Sequence, residues 1–282
     1  MRINHNISSM VANSALYKSN MGMSKSLEKL STGLRINRAS DDAAGLAISE
    51  RLRTQVRGVR QAQRNALDGT SLLQIAEGAL NEISDVLQRM RELAVQAAND
   101  TLTEKERGYT NQEFDHLRQE IDRIARVTNY NNMKIISDVD DRFGANGGST
   151  LWIDAGHVAA TDAMTISIDS MTAAQLDENL VEGFEITEQE NARLAIQHVD
   201  NAIDKVNSGR ASIGAYVNRL EHAINNLQIS ETNQQAAESL IRDADFAAES
   251  STFTRNQILM QSGTAMLAQS NMTPQNVLAL LR

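Results

Sequence analysis

Cysteine is missing from the sequence altogether, and that one absence removes disulfides, thiolate nucleophiles and cysteine metal sites. Proline is nearly missing as well. Pro274 is the only one, so the residue that costs about 3 kcal/mol inside a helix leaves almost the whole chain free to be helical. Aromatic residues make up 4%, which favours long helices over a compact aromatic core. Cations are outnumbered, and the formal net charge of -9 argues against a general nucleic-acid binder, which needs Lys and Arg to neutralise phosphates. No apolar run approaches the roughly 20 residues of a membrane span. The opening "MRINHNISSMVANSALY" also lacks the apolar stretch of a secretory signal, so export would need a different route.

Charge is absent from particular places too. From Ile3 to Tyr17 and from Asn256 to Leu281 there is no Asp, Glu, Lys or Arg, whereas the segments between are densely charged. The second stretch, "NQILMQSGTAMLAQSNMTPQNVLALL", is too rich in Gln, Ser, Asn and Thr for lipid. Two readings are open at this point. Uncharged polar ends can be solvated tails, or they can be helices that meet crowded protein surroundings, where a bare charge is costly to bury.

What is present is a seven-residue repeat. Counting from Leu52, one slot holds Leu52, Val59, Ala66, Leu73, Leu80, Leu87 and Ala94. The slot three residues on holds Gln55, Ala62, Gly69, Ala76, Ile83, Met90 and Ala97, the seam of a coiled-coil-like helix. A flanking line of Leu72, Ala79, Val86 and Leu93 means that this half must touch more than one partner. The repeat returns at Ala192, Val199, Val206, Ile213, Leu220 and Leu227, with Ala195, Ala202, Gly209, Tyr216 and Ala223 in its second slot. Between the two, Phe114, Leu117, Ile121 and Ile124 mark a shorter helix, entered through a capping box of Thr103 and Glu106. The period then changes from helix to strand. "STLWIDAG" and "AMTISIDS" alternate at Leu151 and Ile153 and at Met164, Ile166 and Ile168, a short β-hairpin after the glycine-rich "FGANGGS". Met171 to Glu190 is acidic and reads as loop with a helical turn.

At the N-terminus Leu16, Met23, Leu27, Leu30 and Leu34 keep helical spacing, as do Ile3, Ile7 and Met10. A lone helix leaves most of such an apolar face in water, so the segment needs neighbours. The C-terminal stretch, with Ile258, Leu259, Met260, Met266 and Leu267, is the partner expected within the chain, and other subunits supply the remainder. The expected fold is mainly α: an elongated, coiled-coil-like bundle of long N- and C-terminal helices with a small β-hairpin in the middle. Its helices run over about 41–98, 104–129 and 190–237, with the hairpin at about 150–170.

Catalytic chemistry is hard to find. In "RASDDAAGL" the adjacent carboxylates of Asp41 and Asp42 follow Ser40, an N-cap residue with acids in the first turn, where they favour the positive end of the helix dipole. Neighbours on a helix point about 100° apart and do not share a ligand or a proton easily. "DVDDRFGANGGS" departs from a calcium loop, because Arg142 and Phe143 occupy ligand and glycine positions and Ser149 stands where the bidentate glutamate belongs. The five histidines, His5, His116, His157, His198 and His222, show no metal-ligand spacing. There is no G-x-S-x-G, phosphate-binding loop or dinucleotide fingerprint, so the reading is of a protein that is not an enzyme, with no cofactor and no metal.

Several of these stretches resemble bacterial flagellin, the filament protein of the flagellum. "INHNISSMVANSAL", "LEKLSTGLRINRASDDAAGLAISERLR" and "QIAEGALNEISDVLQRMRELAVQAAND" are close to its N-terminal signature. "AESLIRDADFAAESSTFTRNQILMQSGTAMLAQSNMTPQNVLALLR" is close to its C-terminal one. The resemblance covers roughly 1–135 and 190–282. Larger flagellins insert outer domains in the middle, where this chain has only a short segment, so none is expected. That middle, with "STLWIDAG" before "MTAAQL", is similar to the core flagellins of spirochaetes, which run inside the periplasm.

The resemblance implies a structural subunit that polymerises into the flagellar filament for motility. Residues 1–44 and 238–282 would form an inner tube, and 45–237 a rod-like outer layer with the hairpin on its flank. Leu27, Leu30, Leu34, Leu259, Met266, Leu267, Leu278 and Leu281 would carry the inner-tube packing. It also implies unfolded export through the flagellar type III apparatus, an export chaperone, and assembly with junction and cap proteins. The location would be the bacterial flagellum, extracellular, or periplasmic in the spirochaete manner. The motif "QRMRELAVQ" places Arg89 and Leu93, with Glu113 on the following helix, at the family's contact positions for Toll-like receptor 5, and cytosolic flagellin sensors recognise the C-terminal leucines. Leu93 has packing as its primary role. The rival readings are a hook–filament junction protein, which shares the terminal signatures, and a secreted helical adhesin or receptor ligand. No nucleic-acid partner and no membrane insertion are expected.

Overall fold

A computed structural model describes residues 6–139, 142–145, 148–178, 180 and 184–280, with side chains described up to 272 in the last helix. The chain is mainly α. Its long helices are α1 (Ile7–Thr32), α2 (Ala43–Ala97), α3 (Glu104–Val127), α6 (Gln189–Arg242) and α7 (Phe246–Leu280), with single turns at α4 (Ala159–Asp162) and α5 (Ala173–Leu176). Two antiparallel strand pairs complete it: β1 (Asn129–Tyr130) with β2 (Met133–Lys134), and β3 (Ser149–Trp152) with β4 (Ala163–Ile166).

Helix ends follow local chemistry. The Asn6 side chain accepts the Ser9 N–H at 3.2 Å to start α1, and Gly33 closes that helix in the left-handed region at φ 70°, donating its N–H to the Lys29 carbonyl. At α3 the expected box is present: the Glu106 N–H reaches the Thr103 hydroxyl while the Glu106 carboxylate takes the Thr103 N–H at 2.8 Å. These bonds hold the Glu106 carboxyl below its ordinary range, the Thr103 N–H being the larger cause.

α6 continues to Arg242, past the expected end near 237, because nothing in "QQAAESLIR" breaks a helix before Asp243. The β3–β4 hairpin pairs Leu151 with Met164 and Ser149 with Ile166, in the place expected. The β1–β2 pair was not read from sequence. Its turn residues, Asn131 and Asn132, both carry positive φ (49° and 64°), the type I′ geometry that asparagine tolerates and that "NYNNMK" signals.

Two compact units divide the chain, one of residues 1–56 with 232–282 and the other of 57–231. Their boundaries fall inside α2 and α6. In the unit 57–231 the repeat becomes a core: Leu73, Leu80, Leu87, Ala94, Ile83 and Met90 are fully buried, together with Val199, Val206, Ile213 and Leu220. Antiparallel contacts between α2 and α6 set the register, from Arg60 with Glu231 to Arg91 with Asp200, both at 2.6 Å. The flanking line finds its second partner in the same cluster, where Leu72 and Leu93 join Phe114 and Ile121 of α3.

Candidate assembly surface

The unit 1–56 with 232–282 is built differently. Here α1 and α7 run antiparallel and touch along their length, yet Ser26 is the one fully buried residue among the described side chains of α1. Leu27, Leu259 and Met266 are 57, 49 and 64% exposed, and Ile7, Met10, Val11, Tyr17, Ile258 and Met272 are exposed with them. Leu30, Leu34 and Leu267 are half-buried. Leu278 lies in α7 where side chains are not described, and Leu281 lies outside the described residues. The contact between the helices is narrow because small and polar groups make it. A Cβ on Gly22 would come 2.9 Å from the Asn256 amide, and the Asn6 amide donates to the Ser270 carbonyl at 2.9 Å. The large apolar groups are thereby left facing outward, and no charge stands on α1 before Lys18 or on α7 from Asn256 onward.

The carboxylates of "RASDDAAGL" separate into two roles, and Ser40 has neither. α2 starts at Ala43, so the cap is Asp42, whose carboxylate accepts the Gly45 N–H at 2.9 Å. Ser40 is two residues too early, within the turn that precedes the helix. Asp41 turns back: its carboxylate accepts the Arg38 N–H at 3.1 Å and the Asn37 N–H at 3.4 Å, with the Lys25 ammonium at 3.4 Å. The Arg38 N–H, ahead of the others, holds the Asp41 carboxyl below its ordinary range. The pair is thus divided between a helix start and a turn.

On the unit 57–231, Arg89 bonds Glu113 at 2.9 Å and Glu92 at 2.9 Å, and these carboxylates hold the guanidinium more firmly protonated. Both Arg89 and Glu113 are about half exposed. Leu93 is not: it is 1% exposed, packed in the core with Phe114 and Ile121. In this conformation its side chain is in the core and not on the surface that Arg89 and Glu113 share, in keeping with packing as its primary role. The cause is α3, whose Phe114 and Ile121 share the buried cluster with Leu93, while Glu92, about 100° round the helix, points out.

Other chemistry-bearing groups are held by local structure. The buried Arg118 pairs with Asp115 at 2.8 Å, and His198 Nδ1 lies 3.2 Å from Asp177 with Phe184 edge-on to its ring. Among the described residues no group of three His, Asp or Glu could hold a metal ion, and no helix is long and apolar enough to cross a membrane.

Sequence reasoning missed the junction where α1 ends and α7 begins. Leu34 and Asp243 form an antiparallel bridge, in which the Arg35 N–H donates to the Arg242 carbonyl at 2.6 Å and the Ala244 N–H to the Gly33 carbonyl at 2.9 Å. A two-residue pairing between segments so distant in sequence leaves no periodic signal.

Comparison with known proteins places this arrangement. Residues 3–141 match the model of the bacterial flagellin N-terminal helical region, and 196–281 that of the C-terminal helical region. A flagellin of Halalkalibacterium halodurans is 47% identical over 291 aligned positions, and a flagellar filament 33 kDa core protein of Treponema phagedenis is 46% identical over 294, all of both chains being covered in each case. Bacillus subtilis flagellin is 43% identical over its full length. Among solved structures, Bacillus cereus flagellin is 32% identical with a TM-score of 0.50, covering 62% of this chain and 94% of its own. A putative flagellar hook-associated protein of Vibrio parahaemolyticus has a TM-score of 0.59 at 16% identity, over 72% of this chain and 99% of its own, and is alike in fold alone. With family models over most of its length and relatives matched from end to end, this chain belongs to the bacterial flagellin family.

Proposed function

We propose that this flagellin, a structural subunit of the bacterial flagellar filament, polymerises by completing the outward apolar faces of α1 and α7 with the same faces of other copies. The observation that carries this reading is the contrast between the two units: one has a closed core, and the other holds Leu27, Leu259 and Met266 exposed, with α1 free of charge as far as Tyr17 and α7 free of charge from Asn256 onward. Exposed apolar groups in such number mark an interaction surface, and the missing charges remove the main penalty for burying it. The unit 1–56 with 232–282 then forms the inner tube and the unit 57–231 the outer layer.

Charge substitutions at exposed positions test this. Leu27→Asp or Met266→Asp places a carboxylate in water in the single chain and in a crowded apolar contact in the filament. Purified variants should keep the melting of the unit 57–231 and fail to form filaments in electron micrographs; normal filaments from both sink the reading.

Export by the flagellar type III apparatus, an export chaperone, and docking on junction and cap proteins belong to the same proposal, as does an extracellular filament. A periplasmic filament is the second reading, resting on the similarity to spirochaete core proteins such as that of Treponema phagedenis, a similarity matched by that to the Halalkalibacterium halodurans flagellin. Gold-labelled antibody on intact cells separates them, since only an extracellular filament is decorated. Recognition by Toll-like receptor 5, if it uses this chain, would rest on Arg89 and Glu113.

A further inference from the structure

We infer that the bridge between Leu34 and Asp243 is a clasp that sets the register of α1 against α7 and makes the two termini order as a pair. Its consequence for assembly rests on the polymerisation proposed above; the clasp itself does not.

A covalent helical hairpin fixes register through a short loop, which keeps the closure entropy small. The helices α1 and α7 have no such loop, for they lie at opposite ends of the chain. The clasp stands in its place. Gly33 reverses the chain after α1, and a Cβ there would meet nothing within 4 Å, so the backbone torsion alone requires glycine. On the other strand, Asp245 starts α7 by accepting the Ala247 N–H at 2.8 Å and the Ala248 N–H at 3.2 Å.

Arg35 closes the two together. Its main-chain N–H donates to the Arg242 carbonyl at 2.6 Å, and its guanidinium donates to the Ile241 carbonyl through Nε at 3.2 Å and Nη2 at 2.6 Å. Two successive carbonyls that α6 leaves open at its end are thus met by one residue, with the cation at the favourable pole of the helix. Arg242 in turn pairs with Glu50 of α2 at 2.6 Å. From the clasp outward the partners step in opposite directions and stay close to one antiparallel register: Lys29 with Glu249, Gly22 with Asn256, Leu16 with Gly263, and Asn6 with Ser270. The register set at Leu34 and Asp243 is the register of the whole pair.

Leu34 and Asp243 are the non-hydrogen-bonded pair of their bridge, where Cα atoms lie about 4.5 Å apart. That is within the disulfide range of about 4.4–6.8 Å. The chain has no cysteine of its own, so Leu34→Cys with Asp243→Cys gives a single lock that can be opened and closed.

In the dilute full chain, adding Arg35→Ala to this pair should slow disulfide closure between positions 34 and 243 by about tenfold, the weight of the lost charge-assisted bonds. Arg35→Lys, which keeps the charge without the fork, should fall between. In filament growth Arg35→Ala should elongate about tenfold more slowly than wild type, and oxidation of the cysteine pair in that background should restore the rate to within about twofold of the oxidised pair alone. Equal closure with and without Arg35 overturns the clasp, and so does a growth defect that the disulfide leaves untouched. Failure of the wild-type chain to form filaments counts against the proposed function and leaves the closure experiment to decide the clasp.

Discussion

Ile36 sits directly over Gly45: a Cβ at Gly45 would come 2.8 Å from Ile36 Cδ1 and would also strike the Asp42 carboxylate that caps α2. Ile36 is buried by this approach on an otherwise open unit. Gly45→Ala gains about 1 kcal/mol of helix propensity, but forces a shift of Ile36 and loosens the cap, together about 1–3 kcal/mol. The net expectation is a modest loss of order at the start of α2, seen as faster amide exchange at Leu46 and Ala47, with unchanged exchange at Leu80 to Leu87.

Leu87→Ala and Met266→Asp should fail in opposite ways. Leu87 is fully buried in the core of the unit 57–231, so its truncation should cost about 2–5 kcal/mol and lower the melting temperature of the monomer. Met266 is exposed, so Met266→Asp should leave that melting within about 0.5 kcal/mol of wild type while abolishing filaments. Calorimetry of the monomer and a sedimentation assay for polymer read the two effects separately.

Arg89 and Glu113 form an exposed pair, and a double-mutant cycle of Arg89→Ala with Glu113→Ala should give a coupling of about 0.2–1 kcal/mol, screened away in high salt. Leu93→Ala, one turn further along the same helix, should instead lose about 2–5 kcal/mol of stability independently of salt. Urea melts at low and high ionic strength distinguish them.

The loop between β3 and β4 should respond to acid through Asp162. Its carboxylate accepts the Val158 N–H at 2.8 Å and the Thr161 hydroxyl at 2.8 Å, and the Val158 bond, ahead of the other, holds its pKa below the ordinary carboxylate value. A folded pKa below the unfolded one means that stabilisation is present above about pH 4 and is lost as pH falls through the folded value. The indole of Trp152 donates to the Gly156 carbonyl within this loop and supplies the probe. Trp152 fluorescence should change below about pH 4 in wild type. In Asp162→Asn the change should already be present at neutral pH and should not vary further in that window.

The repeat made much of the fold legible. Leu73, Leu80 and Leu87 on one helix and Val199, Val206 and Ile213 on another were assigned to a buried seam by spacing alone, because a core that persists over many turns leaves the same mark every seven residues. The capping box at Thr103 was readable for a similar reason, since both partners lie within one turn. The helix start at Asp42 was displaced to Ser40 because Ser-Asp-Asp offers three competent caps and only the turn held by Asp41 decides among them. The burial of Leu93 agrees with the packing role that its place in the flanking apolar line gives it, and α3 packing on that side of α2 supplies the partner. The outward faces of α1 and α7 were anticipated from their lack of charge. Their register was not, because Arg35 and Ile241 meet through a main-chain carbonyl that carries no side-chain signature.

Amide hydrogen exchange compared between the dilute monomer and the assembled filament tests the completion of the termini by neighbouring copies most directly. Amides along α1 from Met10 to Leu27 and along α7 from Ile258 to Met266 should slow by about a hundredfold or more on assembly, while those from Leu80 to Ala94 keep their rates. Terminal amides that are equally protected in both states would contradict it.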